Sequence, residues 1–448
     1  MMNSNTYAVI GSGASGIAVT YYLRQRGFNI ELIEQDDAIG GRIRPFLLGK
    51  RPVQLGGKNI GRTYHLFREF TTAMGNNPYE FFGLNSSQIR NNKLLTLDNN
   101  RRVKATLEFM SQGTSKDIWR FWNVCGAVMR NLQNGCLGGP YFTDLCQRLG
   151  DQPLSKYFSP NFCQVVIRPM TVRMNGAEPE ETYVGNLGSN LRMVLDTYDQ
   201  LTQGIEPVLE QFAKTGPVRL NSRVESLIVR NGRVVGLRLR DSSGIQELEY
   251  AGVILATPAS VSSQILASQS PALSQILSSV NYYPVTVVVA EYTCDIFSKK
   301  VRALVFNDTY PISNAGAYGI NERNVIRYTF SGRTARRYMK DGATPEELIR
   351  LAEEALNKYI PISGSDRIQY VAKYHPVGLC AYTSNYPQFA TNLKTHLSKL
   401  PGLYLTGDYI KGASLEACFE AGKACANEVL QSQEFQVSQK SELAAINT

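Results

Sequence analysis

Gly11, Gly13 and Gly16 stand at the spacing G-x-G-x-x-G, directly after the apolar run 7–10 and directly before a helical pattern over about 17–26. Glycines so placed do phosphate chemistry without side chains. The first permits a tight strand-to-helix turn, the second lets backbone approach a pyrophosphate, and the third lets the helix pack close to the strand. The helix N-terminus then turns free N–H groups and a positive dipole end toward the phosphates. A second apolar run, 30–33, ends in Glu34, where an acid is placed to hydrogen-bond a ribose 2′-OH. That carboxylate would also repel a 2′-phosphate. Gly40, Gly41 and Arg42 follow, a glycine pair for close backbone approach and a guanidinium whose fork matches a phosphate. Strand, glycine turn, helix, strand and acid together make a dinucleotide-binding unit.

A second unit lies near the other end of the chain. Residues 403–406 form a short apolar run that ends in Gly407 and Asp408. Open α/β sheets present ligands at such strand ends. Asp408 is suited to accept hydrogen bonds from a ribityl chain. Gly412, Ser414 and Glu416 then open a helix expected to reach about Leu430, with Ser414 as its N-cap. Its positive end would face the part of a flavin ring where negative charge develops on reduction. The first unit alone implies a dinucleotide; the two together imply FAD gripped between the start and the finish of the polypeptide.

The ordered motifs GSGASG at 11–16, GGR at 40–42, LGGKNIG at 55–61, VILATPAS at 253–260 and GLYLTGD at 402–408 resemble the superfamily of flavin monoamine and polyamine oxidases, protoporphyrinogen oxidases and phytoene-type desaturases. The resemblance covers most of the chain. It implies an α/β fold: a discontinuous Rossmann-like FAD domain of the GR2 type carrying an inserted α+β substrate domain. It places Gly11, Gly13, Ala14, Ser15, Gly16, Glu34, Gln35, Gly41, Arg42, Gly56, Gly57, Val224, Thr257, Gly407, Asp408, Ser414 and Leu415 around FAD, with Val224 contacting the adenine side through backbone. Lys58 falls in the segment that lies near the isoalloxazine, which makes it the preferred functional basic residue. Arg62 is a further partner for a substrate anion, and Tyr386 a candidate wall of the site. Amine oxidases of this kind carry a lysine in the strand that here reads 284–290, and no lysine stands there. The stretch from Asn385 to Cys418 is closer to the protoporphyrinogen oxidase side, although the glycine–histidine pair common on that branch is missing.

Composition bounds the rest. The chain has 448 residues, 43% hydrophobic and 19% charged, enough for two or three domains' worth of core. No apolar run is long enough to span a bilayer, and the first strand starts too early to leave room for a signal peptide. A cytoplasmic or membrane-surface location is therefore expected. The eight cysteines form no CxxC pair and there are three histidines, so no metal site is expected. Cys380 stands near where some relatives tether flavin covalently; a buried structural thiol is the plainer reading. The net charge is +9, and the span 42–104 holds twelve Lys/Arg against three Asp/Glu. That imbalance can draw an anionic substrate or a membrane surface. No nucleic-acid module is recognisable, and monomer and homodimer both stay open.

Along the chain, the divisions expected are 1–95, 206–284 and 385–431 for the cofactor domain, 96–205 for a helix-rich insert, 285–384 for a substrate-domain sheet with one helix, and 432–448 for a frayed tail. Asn231-Gly232 between alternating runs predicts a hairpin, and Thr344-Pro-Glu-Glu347 predicts a capping box. Trp119 and Trp122 sit on one helical stretch, expected as core or pocket wall rather than membrane contact. No second glycine fingerprint for NAD(P)H is present. The chemistry expected is hydride transfer from a sizeable, partly apolar small-molecule substrate to flavin N5, with reoxidation by oxygen or a quinone-like acceptor. An amine or amino-acid oxidase and a non-redox FAD-containing isomerase or mutase are the competing readings.

Overall fold

The computed structural model describes residues 5–90, 93–98 and 102–446. Strand Thr6–Ile10 lies at the centre of a five-stranded parallel sheet ordered Val218–Arg219, Asn29–Ile33, Thr6–Ile10, Gly252–Leu255 and Leu403–Leu405. Its apolar residues and those of Gly252–Leu255 are buried, as parallel strands covered on both faces require. The strands come from three separated stretches of chain, so the cofactor domain is discontinuous. Helix Ala14–Gln25 packs along helix Leu415–Ile446 and joins the first stretch to the last. The ring of Phe70 meets those of Phe212 (5.8 Å) and Phe419 (5.1 Å), one from each of the other two stretches. Rings so offset add dispersion and quadrupole attraction to the area they bury.

The inserted part is built on a seven-stranded mixed sheet, in the order Arg367–Tyr382, Asn281–Tyr292, Val325–Phe330, Asn314–Ala317, Ala303–Val305, Asn85–Arg90 and Lys93–Asp98. A cluster of helices, including Ser115–Arg130, Arg168–Asn175 and Leu187–Leu195, stands beside it. The predicted hairpin is present as Arg223–Arg230 and Arg233–Asp241, with Asn231 and Gly232 both at positive φ, the signature of a type I′ turn. The capping box is present too: Thr344 Oγ accepts from the Glu347 N–H (3.2 Å) while Glu347 accepts from the Thr344 N–H (2.7 Å).

Three expectations are corrected. The boundary at residue 95 falls too late, because strands Asn85–Arg90 and Lys93–Asp98 join the seven-stranded sheet. The expected frayed tail is instead a continuation of the last helix to Ile446; no glycine or proline follows Gly422, so nothing in the backbone stops it. Residues 447–448 lie outside the described part. The tryptophans are not core, although Trp122 does line the main cavity as a pocket wall: Trp119 and Trp122 are 68% and 70% exposed, and the helix buries Val124, Ala127 and Val128 instead.

Candidate active site

The glycine turn has the shape the sequence requires. Gly11 sits at φ +95°, a region closed to most L-residues. A Cβ on Gly16 would lie 1.8 Å from the Gly11 carbonyl oxygen, so helix Ala14–Gln25 can approach the strand only with hydrogen there. A Cβ on Gly13 would meet nothing within 4 Å; it would project into open space. The first turn of the helix carries neither a side-chain cap nor an acidic residue. Its N–H groups are therefore suited to a phosphate. Gly41 stands beside this turn, where its Cβ would come within 3.2 Å of Gly13 Cα.

Glu34 follows strand Asn29–Ile33 and is 7% exposed. Its carboxylate accepts from the Ser12 N–H (2.8 Å), the Ser12 hydroxyl (2.5 Å) and the Asp36 N–H (3.1 Å). It thus braces the glycine turn, and a carboxylate retains lone pairs for a ribose. The Glu34 carbonyl accepts from Ser222 N–H at 2.9 Å, which brings the start of the hairpin against the same edge. Val224 lies there, beside an irregularity in the pairing with the next strand. Gln35 is exposed next to Glu34.

The C-terminal unit meets the N-terminal one through a charge pair. Arg42 and Asp408 are 2.8 Å apart, and Asp408, 3% exposed, also accepts from the Tyr282 hydroxyl at 2.6 Å. Arg42 donates to the Gly378 carbonyl as well (3.0 Å). Its remaining accessible surface opens on an internal cavity rather than on bulk solvent; burial opposes its charge, and Asp408, helped by Tyr282 and Cys418, more than offsets this. Gly56 is packed so closely beneath Arg42 that a Cβ would fall 1.6 Å from the Arg42 carbonyl oxygen. Ser414 caps the last helix, its hydroxyl accepting from the Ala417 N–H at 3.1 Å.

These elements converge on one cavity of about 950 Å³. Gly13, Ala14, Ser15, Arg42, Gly56, Gly57, Lys58, Thr257, Gly407, Asp408, Ser414 and Leu415 all line it. Gly11, Gly16, Glu34, Gln35, Gly41 and Val224 stand behind or beyond that lining. Away from the glycine turn the walls are mostly apolar, with Leu97, Val165, Met170, Val285, Val287 and Leu379 among them. The glycine cradle, the uncapped helix end and the C-terminal strand end fit FAD, and Gly13–Ser15, Arg42 and Asp408 are the residues that would hold it.

Lys58 is 8% exposed and lines the cavity. Its ammonium bonds the Gln200 amide oxygen and lies 4.5 Å and 4.7 Å from the ring centres of Phe82 and Tyr318. Burial, reinforced by Arg327, pulls its pKa down to about 7. Two predicted site residues lie elsewhere. Tyr386 begins helix Tyr386–Leu397, packs in the apolar core with Phe389 and donates to the Ile410 carbonyl at 2.5 Å; it does not wall the cavity. Arg62 is on the outside, paired with Asp199 at 3.2 Å and stacked over Phe81. Both are absorbed by neighbours that their local sequence does not reveal.

Three cavity residues escape sequence reading: Arg173, Arg327 and His375. Burial, with Arg42 next, lowers the His375 pKa to about 4, so the imidazole is neutral near pH 7. Arg327 left one signal, a lone cation in the apolar strand Val325–Phe330.

A family model described as flavin containing amine oxidoreductase matches residues 136–430, and one described as NAD(P)-binding Rossmann-like domain matches residues 9–71. Among solved structures, a protein assigned as a protoporphyrinogen oxidase from Exiguobacterium sp. 255-15 is 16% identical with TM-score 0.71, over 97% of this chain and 100% of that one. Cyclohexylamine oxidase from Brevibacterium oxydans IH-35A gives the same identity, TM-score and coverage. A CLA-producing fatty acid isomerase from P. acnes is 12% identical with TM-score 0.67, over 95% and 98% of the two chains. At these identities the structures establish the fold alone, whereas the family model spans well over half of the chain. Its match, laid over a glycine cradle shaped for FAD, makes this chain a member of the flavin-containing amine oxidoreductase family and an FAD-dependent oxidoreductase.

Proposed function

We propose that this enzyme oxidises or desaturates a sizeable, largely apolar organic molecule, with oxygen or a quinone-like acceptor restoring the cofactor. One observation carries the reading: a single cavity of about 950 Å³ runs from the glycine cradle into a chamber walled mainly by aliphatic side chains. When bound, FAD supplies a hydride acceptor at N5. The chain's part is to hold a C–H bond near that atom and to keep water out, and Val285, Val287 and Leu379 suit the second task.

An amine substrate is disfavoured by charge. Asp408 is the one carboxylate among the described lining residues and is paired with Arg42, while Lys58, Arg173 and Arg327 are cationic or basic. A protonated amine would enter a field of its own sign. Strand Asn281–Tyr292 turns Val285 and Val287 to the cavity and carries no lysine. The test is an anaerobic panel of tetrapyrrole, polyene, amine and amino-acid candidates, with NADPH as a separate arm. Bleaching of the flavin by a tetrapyrrole or a polyene, and by nothing else in the panel, is expected. Bleaching by an amine, or by NADPH alone, would contradict the proposal. Turnover with no acceptor consumed would favour the isomerase reading, which the fold shared with the P. acnes isomerase keeps in view.

Contact with a membrane surface belongs to the same proposal. Val103, Leu107, Trp122 and Met129 line the mouth of the cavity and are each more than 60% exposed, with Trp119 beside them and Lys104, Lys116 and Arg130 on the same helices. Exposed aromatic and basic side chains together suit an anionic bilayer. No helix among the described residues is long and apolar enough to cross one. The enzyme should sediment with phosphatidylserine-containing vesicles, and Trp119→Ser with Trp122→Ser should abolish this. Equal sedimentation of the variant would remove the contact from the account.

A further inference from the structure

The large cavity has a small neighbour. A chamber of about 140 Å³ shares Lys58, Arg173, Arg327, Tyr198 and Asn314 with the main cavity, and Arg302 closes it. Four basic side chains therefore line a space too small for the body of any ligand that fills the main cavity. Among its described lining residues there is no aspartate or glutamate.

The carboxylates that act on this group, Glu80 and Glu322 on Lys58 and Asp98 on Arg302, all stand outside the chamber lining. Lys58, Arg173 and Arg327 form no ion pair with a carboxylate among the described residues. Lys58 has an amide oxygen and two aromatic rings as partners. Arg327 donates from Nη2 to the Gly56 carbonyl at 2.9 Å, and its Nε is buried without an acceptor. Arg302 donates from Nη2 to the Phe82 carbonyl at 2.8 Å, its Nη1 is buried without an acceptor, and Asp98 acts on it from outside the chamber lining. Buried cations with idle N–H donors are costly unless an anion completes them. Guanidinium forks complete a planar carboxylate best, through paired charge-assisted hydrogen bonds. The idle Arg302 and Arg327 donors are themselves buried, so a bond to either is stronger than it would be in water.

We propose that this chamber is a carboxylate pocket that anchors the acidic end of the substrate, while the apolar remainder lies along the main cavity toward the flavin. The inference rests on the reading of the main cavity as an apolar substrate site and adds the substrate class, an amphiphilic carboxylic acid. Arg173 and Arg327 are its specificity-determining residues. They read the acid group and so fix which carbon along the chain comes to rest at the reacting position. Residues 173, 302 and 327 are far apart in sequence, and only the packing of helix Arg168–Asn175 against the seven-stranded sheet brings them together.

The test uses the FAD-loaded enzyme in its oxidised state and no turnover. Dodecanoate, methyl dodecanoate and dodecylamine are titrated below their micelle concentrations, and binding is followed by the perturbation of the flavin spectrum. Dodecanoate should bind on the order of tenfold tighter than the ester, and the amine weakest. Arg173→Gln and Arg327→Gln, made separately and each checked for its flavin band, should bring dodecanoate down to the level of the ester; Arg173→Lys should keep part of the preference. Equal binding of acid and ester by the wild-type enzyme would overturn the proposal without any variant. So would a preference that survives in both glutamine variants. Because no electrons move in this assay, its failure is distinguishable from a failure of the proposed oxidation, which the anaerobic panel reads.

Discussion

Gly16→Ala should give a protein that is less stable and no longer retains FAD. The added methyl would lie 1.8 Å from the Gly11 carbonyl oxygen and 3.0 Å from its carbon, both backbone atoms. Gly11 cannot yield easily, since its backbone N–H is held by the Ile33 carbonyl at 2.8 Å. Helix Ala14–Gln25 must therefore move away from the strand, at a cost of about 1–3 kcal/mol or more. That movement also carries the helix N-terminus away from the pyrophosphate, so cofactor affinity falls along with stability. Gly13→Ala is the informative companion. Its Cβ meets no protein atom within 4 Å, so the apoprotein should melt as the wild type does, to within about 1 kcal/mol. Only FAD binding should suffer, because the methyl occupies the space assigned to the pyrophosphate. Thermal melting with and without FAD separates the two effects, and a Gly13→Ala enzyme that binds FAD normally would show that assignment to be wrong.

Arg42→Met should cost about 3 kcal/mol of stability. The change leaves Asp408, 3% exposed, with the Tyr282 hydroxyl as a partner but without its counter-ion. A buried carboxylate deprived of its cation is far worse than no charge at all. The pair also joins the first stretch of the cofactor domain to the last, so its loss should loosen both walls of the FAD site. Arg42→Met with Asp408→Asn should recover part of the loss, since the remaining group is neutral. Urea unfolding of the single and double variants measures this directly. A single variant as stable as the wild type would mean that the pair is dispensable.

The cofactor domain was legible because its signals are local. A glycine turn, a strand before it, a helix after it and an acid at the next strand end are all read within the first 42 residues. The hairpin at Asn231-Gly232 and the capping box at Thr344 were legible for the same reason, since each is settled by backbone geometry within a few residues. The basic chamber was not. Lys58, Arg173, Arg302 and Arg327 reach it from a loop, a helix end, the residue before strand Ala303–Val305 and the interior strand Val325–Phe330, and no spacing rule links them. Tyr386 and Arg62 show the converse. Each has a side chain suited to a site, and each is claimed by a tertiary partner, the Ile410 carbonyl in one case and Asp199 in the other. Trp119 and Trp122 read as core or pocket wall, but helical phase puts them opposite Val124 and Val128, on the outer face, where Trp122 borders the cavity.

The claim on which the rest depends is that both ends of this polypeptide close on one FAD. The visible absorption spectrum of the purified protein, recorded before and after soaking with FAD and again after denaturation to release the cofactor, tests it most directly. The account predicts a yellow protein that carries one FAD per chain and releases it intact. A protein that stays colourless after soaking would contradict it.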